Sequence, residues 1–123
     1  MAAVTRSQSF PRGRRMQLPG EFSRVRAQGQ RLVLGCLIIN WAEGTGPGSR
    51  LGVVTGRKLG PAVERNRARR LMRECFRRSQ HVLTGKFDIV LIARNSINGR
   101  SMGAVEKDYL AALKRAGLTG GAA

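Results

Sequence analysis

Residues 57–78, RKLGPAVERNRARRLMRECFRR, constrain the fold more than any other part of the chain. Gly60-Pro61 supplies a helix start, and seven arginines fall within the fourteen residues from Arg65 to Arg78. Wound at about 3.6 residues per turn, Ala68, Leu71, Met72, Cys75, Phe76, Ser79 and Val82 share one arc. Asn66, Arg69, Arg70, Arg73 and Arg77 take the opposite arc, with Arg67 and Arg78 at its edge and Arg65 at the other boundary. Such a helix docks on a core by one side and presents guanidinium on the other. Guanidinium forms forked hydrogen bonds with phosphate, so the outer side suits a nucleic-acid backbone.

The segments around this helix fill in an α+β chain. Pro19 to Gln28 reads as a short helix, with Pro19 in its first turn, Glu21 favouring its N-terminus and Gly29 ending it. Its apolar positions are Leu18, Phe22 and Val25. Residues 32–41 (LVLGCLIINW) form a continuous apolar run that holds one bent strand or two. Residues 42–49 form a loop, and Leu51 to Thr55 is a further strand that could pair with that run as a hairpin. The Arg-rich helix is expected from Pro61 to Val82, with Pro61 as its first residue. Phe87 to Ala93 (FDIVLIA) is a short, β-branched strand. Ser101 can cap a last helix whose Met102, Val105, Tyr109, Ala112, Leu113 and Ala116 share a face. Gly117 suits a left-handed terminator, with Leu118 packing back. Residues 1–15 read as a flexible basic arm, 16–118 as the single domain and 119–123 as a disordered tail. If the strands at 51–55 and 87–93 share a sheet, their helical connection makes them parallel, with a right-handed crossover as the default.

Charge narrows the partner. Lys plus Arg number 23 against 7 Asp plus Glu, a formal charge of +16, and all but Lys58, Lys86, Lys107 and Lys114 of those cations are arginine. Self-repulsion on this scale in 13.4 kDa, with a pI near 11.9, points to a polyanionic partner. No apolar run approaches the roughly 18 residues of a membrane span, and no secretory h-region follows the N-terminus, which implies a cytoplasmic protein without a membrane role. Cys36 and Cys75 form no CxxC pair and His81 is the single histidine, so zinc lacks ligands and the cysteines read as buried free thiols.

Residues 50–74, RLGVVTGRKLGPAVERNRARRLMRE, closely resemble the signature of the bacterial ribonuclease P protein component. The core of that signature is R-N-R, here Arg65-Asn66-Arg67, preceded by Lys58, Gly60, Ala62 and Val63 and followed by Arg69, Arg70, Arg73 and Glu74. Residues 20–29 (GEFSRVRAQG) and 87–94 (FDIVLIAR) resemble flanking family segments, and the likeness runs in order over residues 14–116. It implies a single-domain αβββαβα sandwich shared with certain ribosomal proteins. It also implies a left-handed β-α-β crossover carrying the Arg-rich helix, in place of the right-handed default. The implied function is the protein subunit of a ribonucleoprotein that removes the 5′ leader from precursor tRNA. One protein would join one catalytic RNA, whose active site holds the Mg2+; the protein itself would bind no cofactor and would strengthen substrate and metal-ion binding.

Two surfaces follow from that resemblance. Arg65, Asn66, Arg67, Arg69, Arg70 and Arg73 would meet the catalytic RNA, although Asn66 could instead order the first helical turn. Phe22, Arg57, Lys58 and Arg94 would line a cleft for the single-stranded leader, where a ring can stack on an unpaired base; packing in the core is the other reading of Phe22. Arg12, Arg14, Arg15 and Arg26 are further candidate contacts. Two positions depart from the family pattern: Arg26 stands where a second aromatic is common, and Asn40, beside Trp41, where a tyrosine is common. Leader binding here would then lean on charge, unless Trp41 faces the cleft. The residues themselves agree with a non-catalytic chain. The seven acids are scattered among cations, and Glu64 and Glu74 read as salt-bridge partners within the helix. A structural RNA-binding protein of ribosomal type is the competing reading, because phosphate contacts carry little sequence information.

Overall fold

The computed structural model describes residues 19–44, 46 and 48–119, and these form helix α1 (Pro19–Gln28), strands β1 (Gln30–Leu34), β2 (Leu37–Glu43) and β3 (Arg50–Val54), helix α2 (Ala62–Ser79), strand β4 (Phe87–Ala93) and helix α3 (Met102–Ala116). The order is αβββαβα, the α+β class expected from the sequence. The whole expected arm, with Arg12, Arg14 and Arg15, lies outside the described residues, as do Leu18 and residues 120–123 of the expected tail; Thr119 pairs with Leu83 in an isolated bridge.

β4 is buried along both faces and takes a central place in the sheet. The strand order is β1-β2-β4-β3, with β4 antiparallel to β2 and parallel to β3. The expected hairpin between the 32–41 run and Leu51–Thr55 is therefore corrected. The run folds on itself, because Gly35 at φ 58 can make the left-handed turn that sets Leu34 opposite Leu37. β3 then finds its partner in β4, across the α2 connection.

α2 and α3 cover one face of the sheet. Ala68, Met72, Cys75 and Phe76 from α2 and Val105, Tyr109, Ala112 and Leu113 from α3 pack with Leu37, Ile39, Trp41, Leu51, Ile89 and Leu91. Each fully buried large apolar side chain contributes about 1.5–3 kcal/mol. The arc read from the sequence is thus the docked side of α2, although Val82 belongs to a 3-10 turn (Gln80–Val82) beyond the helix. Pro61 is the N-cap and not the first helical residue, since its ψ of 170 is extended; its carbonyl accepts from Glu64 N at 3.0 Å and Arg65 N at 3.2 Å.

The last helix follows its end signals. Ser101 Oγ accepts from Ala104 N at 3.2 Å, Gly117 sits at φ 79, and Leu118 N reaches back to Leu113 O at 2.9 Å. Gly29 ends α1 for a different reason. Its φ is not left-handed, but a Cβ there would lie 2.1 Å from Trp41 O, so only glycine lets α1 approach β2 so closely.

Candidate nucleic-acid interface

The outer side of α2 carries the arginines read from the sequence, several of them tethered. Asn66 and Arg70 are exposed, whereas Arg65, Arg67, Arg69 and Arg73 are half-buried. Arg69 donates to Thr55 Oγ1 at 2.7 Å and also to Asn66 Oδ1, and Arg67 donates to the carbonyl of Arg100. Asn66 thus orients Arg69, a local role that leaves its amide on the surface. Arg65 is the case that helical periodicity marks as a boundary. Its Nε is buried and has no hydrogen-bond partner among the described residues.

Of the two acids expected to pair within the helix, only Glu74 does. Glu74 binds Arg77 through both oxygens, which holds its carboxyl below the usual range. Glu64 forms no ion pair among the described residues. It lies in the first turn, against Gly60, where the positive end of the helix dipole favours a carboxylate without a partner cation.

The opposite face of the sheet is only partly covered. α1 lays Val25 and Phe22 against Val90, Ala42, Val54 and Ile92. Pairing fixes which residues share this face: Arg31, Asn40, Val90 and Gly52 form one row, and Val33, Ile38, Ile92 and Val54 the next. The second row stays partly open, with Val33 48% exposed. Because β3 and β4 are parallel, their C-terminal ends lie together, so Arg57 and Lys58 after β3 and Arg94 after β4 reach the same rim. All three are exposed, and Arg94 Nη1 is steadied by Gly35 O at 2.9 Å. Arg57, Lys58 and Arg94 thus gather at one end of the sheet, and Phe22 lies on the face that α1 leaves partly open. Arg26 is exposed on α1.

Strand alternation separates Asn40 from Trp41. Asn40 is on the groove face, while Trp41 is 8% exposed in the main core, so the indole offers the groove no stacking platform. Phe22 packs on the sheet yet stays partly exposed: its ring rests directly on Gly52, where a Cβ would stand 2.6 Å from Cζ. Arg31 is a groove-face cation that sequence reasoning passed over, because its direction follows only from its pairing with Asn40.

Beneath α1 lies an ion network that the sequence did not reveal. Asp88 is fully buried, with 0% of its side chain exposed, and accepts from Arg50 Nε at 3.0 Å, from Arg50 Nη2 at 2.8 Å and from Arg24. Arg50 also binds Glu21. The hydrogen bonds to Asp88 raise the Arg50 pKa, outweighing the penalty of partial burial. Two arginines with two carboxylates make the network neutral, so these cations serve the fold. Arg78 pairs with Glu106 at 3.5 Å, and Arg100 with Asp108 at 3.2 Å.

Five of the seven acids are thus held by arginine, and no three metal-ligating side chains come together among the described residues. Cys36 and Cys75 are free and buried. Burial first, then the Asp108 hydrogen bond, pushes the Cys36 thiol up to about 11; burial, then the charge of Glu106, pushes Cys75 to about 12. Neither is a nucleophile near neutral pH. No described helix is long and apolar enough to cross a membrane.

Known proteins share both sequence and fold. The ribonuclease P family profile matches residues 10–117. The ribonuclease P protein component of Syntrophomonas wolfei is 40% identical over 104 residues, covering 85% of this chain and 87% of that one. The RNase P protein from Thermotoga maritima superposes with a TM-score of 0.75 at 32% identity, covering 82% of this chain and 96% of that one. The RNase P protein of Staphylococcus aureus, at 24% identity, shares the fold with a TM-score of 0.79, covering 86% and 97%. A match across nearly the whole chain, on the residues that build the arginine helix and the groove, makes this protein a member of the ribonuclease P protein family.

Proposed function

We propose that this chain is the protein component of a ribonuclease P ribonucleoprotein that removes the 5′ leader from precursor tRNA. The observation that carries this reading is α2: apolar on its docked side, arginine on the other, in a chain of this family. Arg65, Asn66, Arg67, Arg69, Arg70 and Arg73 contact the catalytic RNA, chiefly through phosphate.

The groove takes the single-stranded leader. Phe22 stacks on a base, Arg57, Lys58 and Arg94 hold phosphates at the rim, and Arg31 adds a cation on the groove face. With Trp41 turned into the core and Arg26 in place of an aromatic, this leader site relies on charge more than on stacking. Arg26, Arg12, Arg14 and Arg15 make further contacts. The catalytic RNA supplies the active site and holds its Mg2+, while the protein, one copy per RNA in the cytoplasm, strengthens substrate and metal-ion binding. In support, most carboxylates of this chain are occupied by arginine and are not grouped to bind metal ions or to work as an acid–base pair.

The test is leader cleavage of a precursor tRNA at low Mg2+ with protein alone, with the matching RNA alone and with both. Cleavage that requires the RNA and is enhanced by the protein is expected. Cleavage by RNA-free protein would refute the division of labour, and an active RNA that the protein fails to enhance would favour a purely structural RNA-binding role.

A further inference from the structure

Phe22 can serve a leader only if its ring is held at a fixed height over the sheet, and two features of the groove floor do that. Gly52 has ordinary backbone geometry, so its identity is explained by space: a Cβ would stand 2.6 Å from Phe22 Cζ and 3.0 Å from both Cε atoms. The ring fills the place a side chain would take. On either side of Phe22 in the helix, Glu21 and Arg24 reach down to the Arg50–Asp88 pair of β3 and β4. Asp88 is fully buried, whereas Arg24, Arg50 and Glu21 keep 26%, 17% and 23% of their side chains exposed. The anchor therefore lies under the helix, one row of the sheet away from Gly52 and on the side opposite the open row. Breaking a buried pair of this kind leaves an uncompensated charge, so the anchored position of α1 is strongly preferred.

We propose that Gly52 and Asp88 are positioning residues for leader binding: Gly52 is the socket that seats the Phe22 ring, and Asp88 is the anchor that fixes α1 above it. This rests on the reading of Phe22 as a leader contact. Neither residue touches RNA in this scheme. Their contacts to α1 lie on the groove side, and α2 packs on the opposite face of the sheet.

The test compares binding of precursor tRNA and of leaderless mature tRNA by the holoenzyme, assembled from its RNA and either wild-type protein or Phe22→Ala, Gly52→Ala, the double variant, Glu21→Gln or Asp88→Asn. The readout is the ratio of the two affinities, with affinity for the catalytic RNA measured alongside. Gly52→Ala is expected to keep the fold, checked by its urea midpoint, because the atoms it displaces are the far end of one side chain. Phe22→Ala and Gly52→Ala should each lower the ratio by roughly 5-fold or more, the scale of one lost base stack, and the double variant should fall no further. Glu21→Gln and Asp88→Asn should also lower the ratio, with affinity for the catalytic RNA unchanged for Gly52→Ala and Glu21→Gln. A normal ratio in Gly52→Ala beside a reduced one in Phe22→Ala would overturn the socket, and normal ratios in both Glu21→Gln and Asp88→Asn would overturn the anchor. A normal ratio in Phe22→Ala itself would instead refute the reading of Phe22 and remove the basis of the proposal.

Discussion

The two faces of the sheet are built on different physics. The face under α2 and α3 is a continuous apolar core with Phe76, Met72, Leu91 and Tyr109 fully buried. The face under α1 has a neutral ion network at one end, a small apolar cluster around Val25 and Val90 in the middle, and an open row of Val33, Ile38, Ile92 and Val54 at the other end. Hydrophobic burial is non-directional and suits the side whose task is stability. Charged hydrogen bonds fix direction, which suits a side that must hold one helix in place while leaving a groove beside it. The contrast also sorts the arginines. Arg24 and Arg50 are committed to carboxylates within the fold, whereas Arg70, Arg57 and Arg94 remain exposed at the two candidate RNA surfaces.

Removing an interaction from each face should sharpen that contrast. Phe76→Ala should cost about 3–5 kcal/mol of stability in a urea titration, because a large side chain leaves a cavity in a packed core. Asp88→Ala should cost a comparable amount, about 3–5 kcal/mol, since Arg24 and Arg50 would lose their shared carboxylate. A loss below about 1 kcal/mol, the value of a surface ion pair, would show that water solvates the network. Replacing Arg65, Arg67 and Arg70 together with Ala should leave the fold intact. Affinity for the catalytic RNA should fall, and the slope of log affinity against log salt should flatten by roughly 0.7–0.9 for each phosphate that is no longer neutralised. An unchanged slope would mean that these arginines neutralise no phosphate.

A smaller effect should appear in alkali. Cys36 and Cys75 have pKa values raised to about 11 and about 12 in the fold, above the ordinary 9.0. The folded state thus holds protons that the unfolded chain releases, so their contribution is complete below pH 9 and declines as pH rises from there toward the folded values. Stability measured by denaturant should therefore decline above about pH 9, and a thiol reagent at about pH 8 should label the unfolded chain but not the native one. Replacing both cysteines with Ala should remove that part of the decline.

Where local chemistry decides structure, the sequence was readable. Pro19 to Gln28 is a helix with the expected bounds, Ser101 and Gly117 set the ends of α3, and the apolar arc of α2 is the buried one. Strand partners were less so, because they depend on which strand is buried on both faces. The central place of β4 and the turn at Gly35 separated two runs that looked like neighbours. The order of Asn40 and Trp41 was hidden because β2 is largely buried on both faces, so no polar alternation marks its direction. The Arg-rich outer side of α2 was legible as one continuous segment. The Asp88 network was not, since its directly bonded members are separated by up to 64 positions and look alone like ordinary surface charges.

The central claim is that α2 meets the catalytic RNA while the groove meets the leader. The buried native thiols allow a single surface cysteine to be labelled selectively, so a photo-crosslinker can be placed at Arg70→Cys or at Val33→Cys in the assembled holoenzyme with precursor tRNA. The account predicts cross-links from position 70 to the catalytic RNA and from position 33 to the leader. Cross-links from both positions to the same RNA strand, or an exchange of their targets, would contradict it.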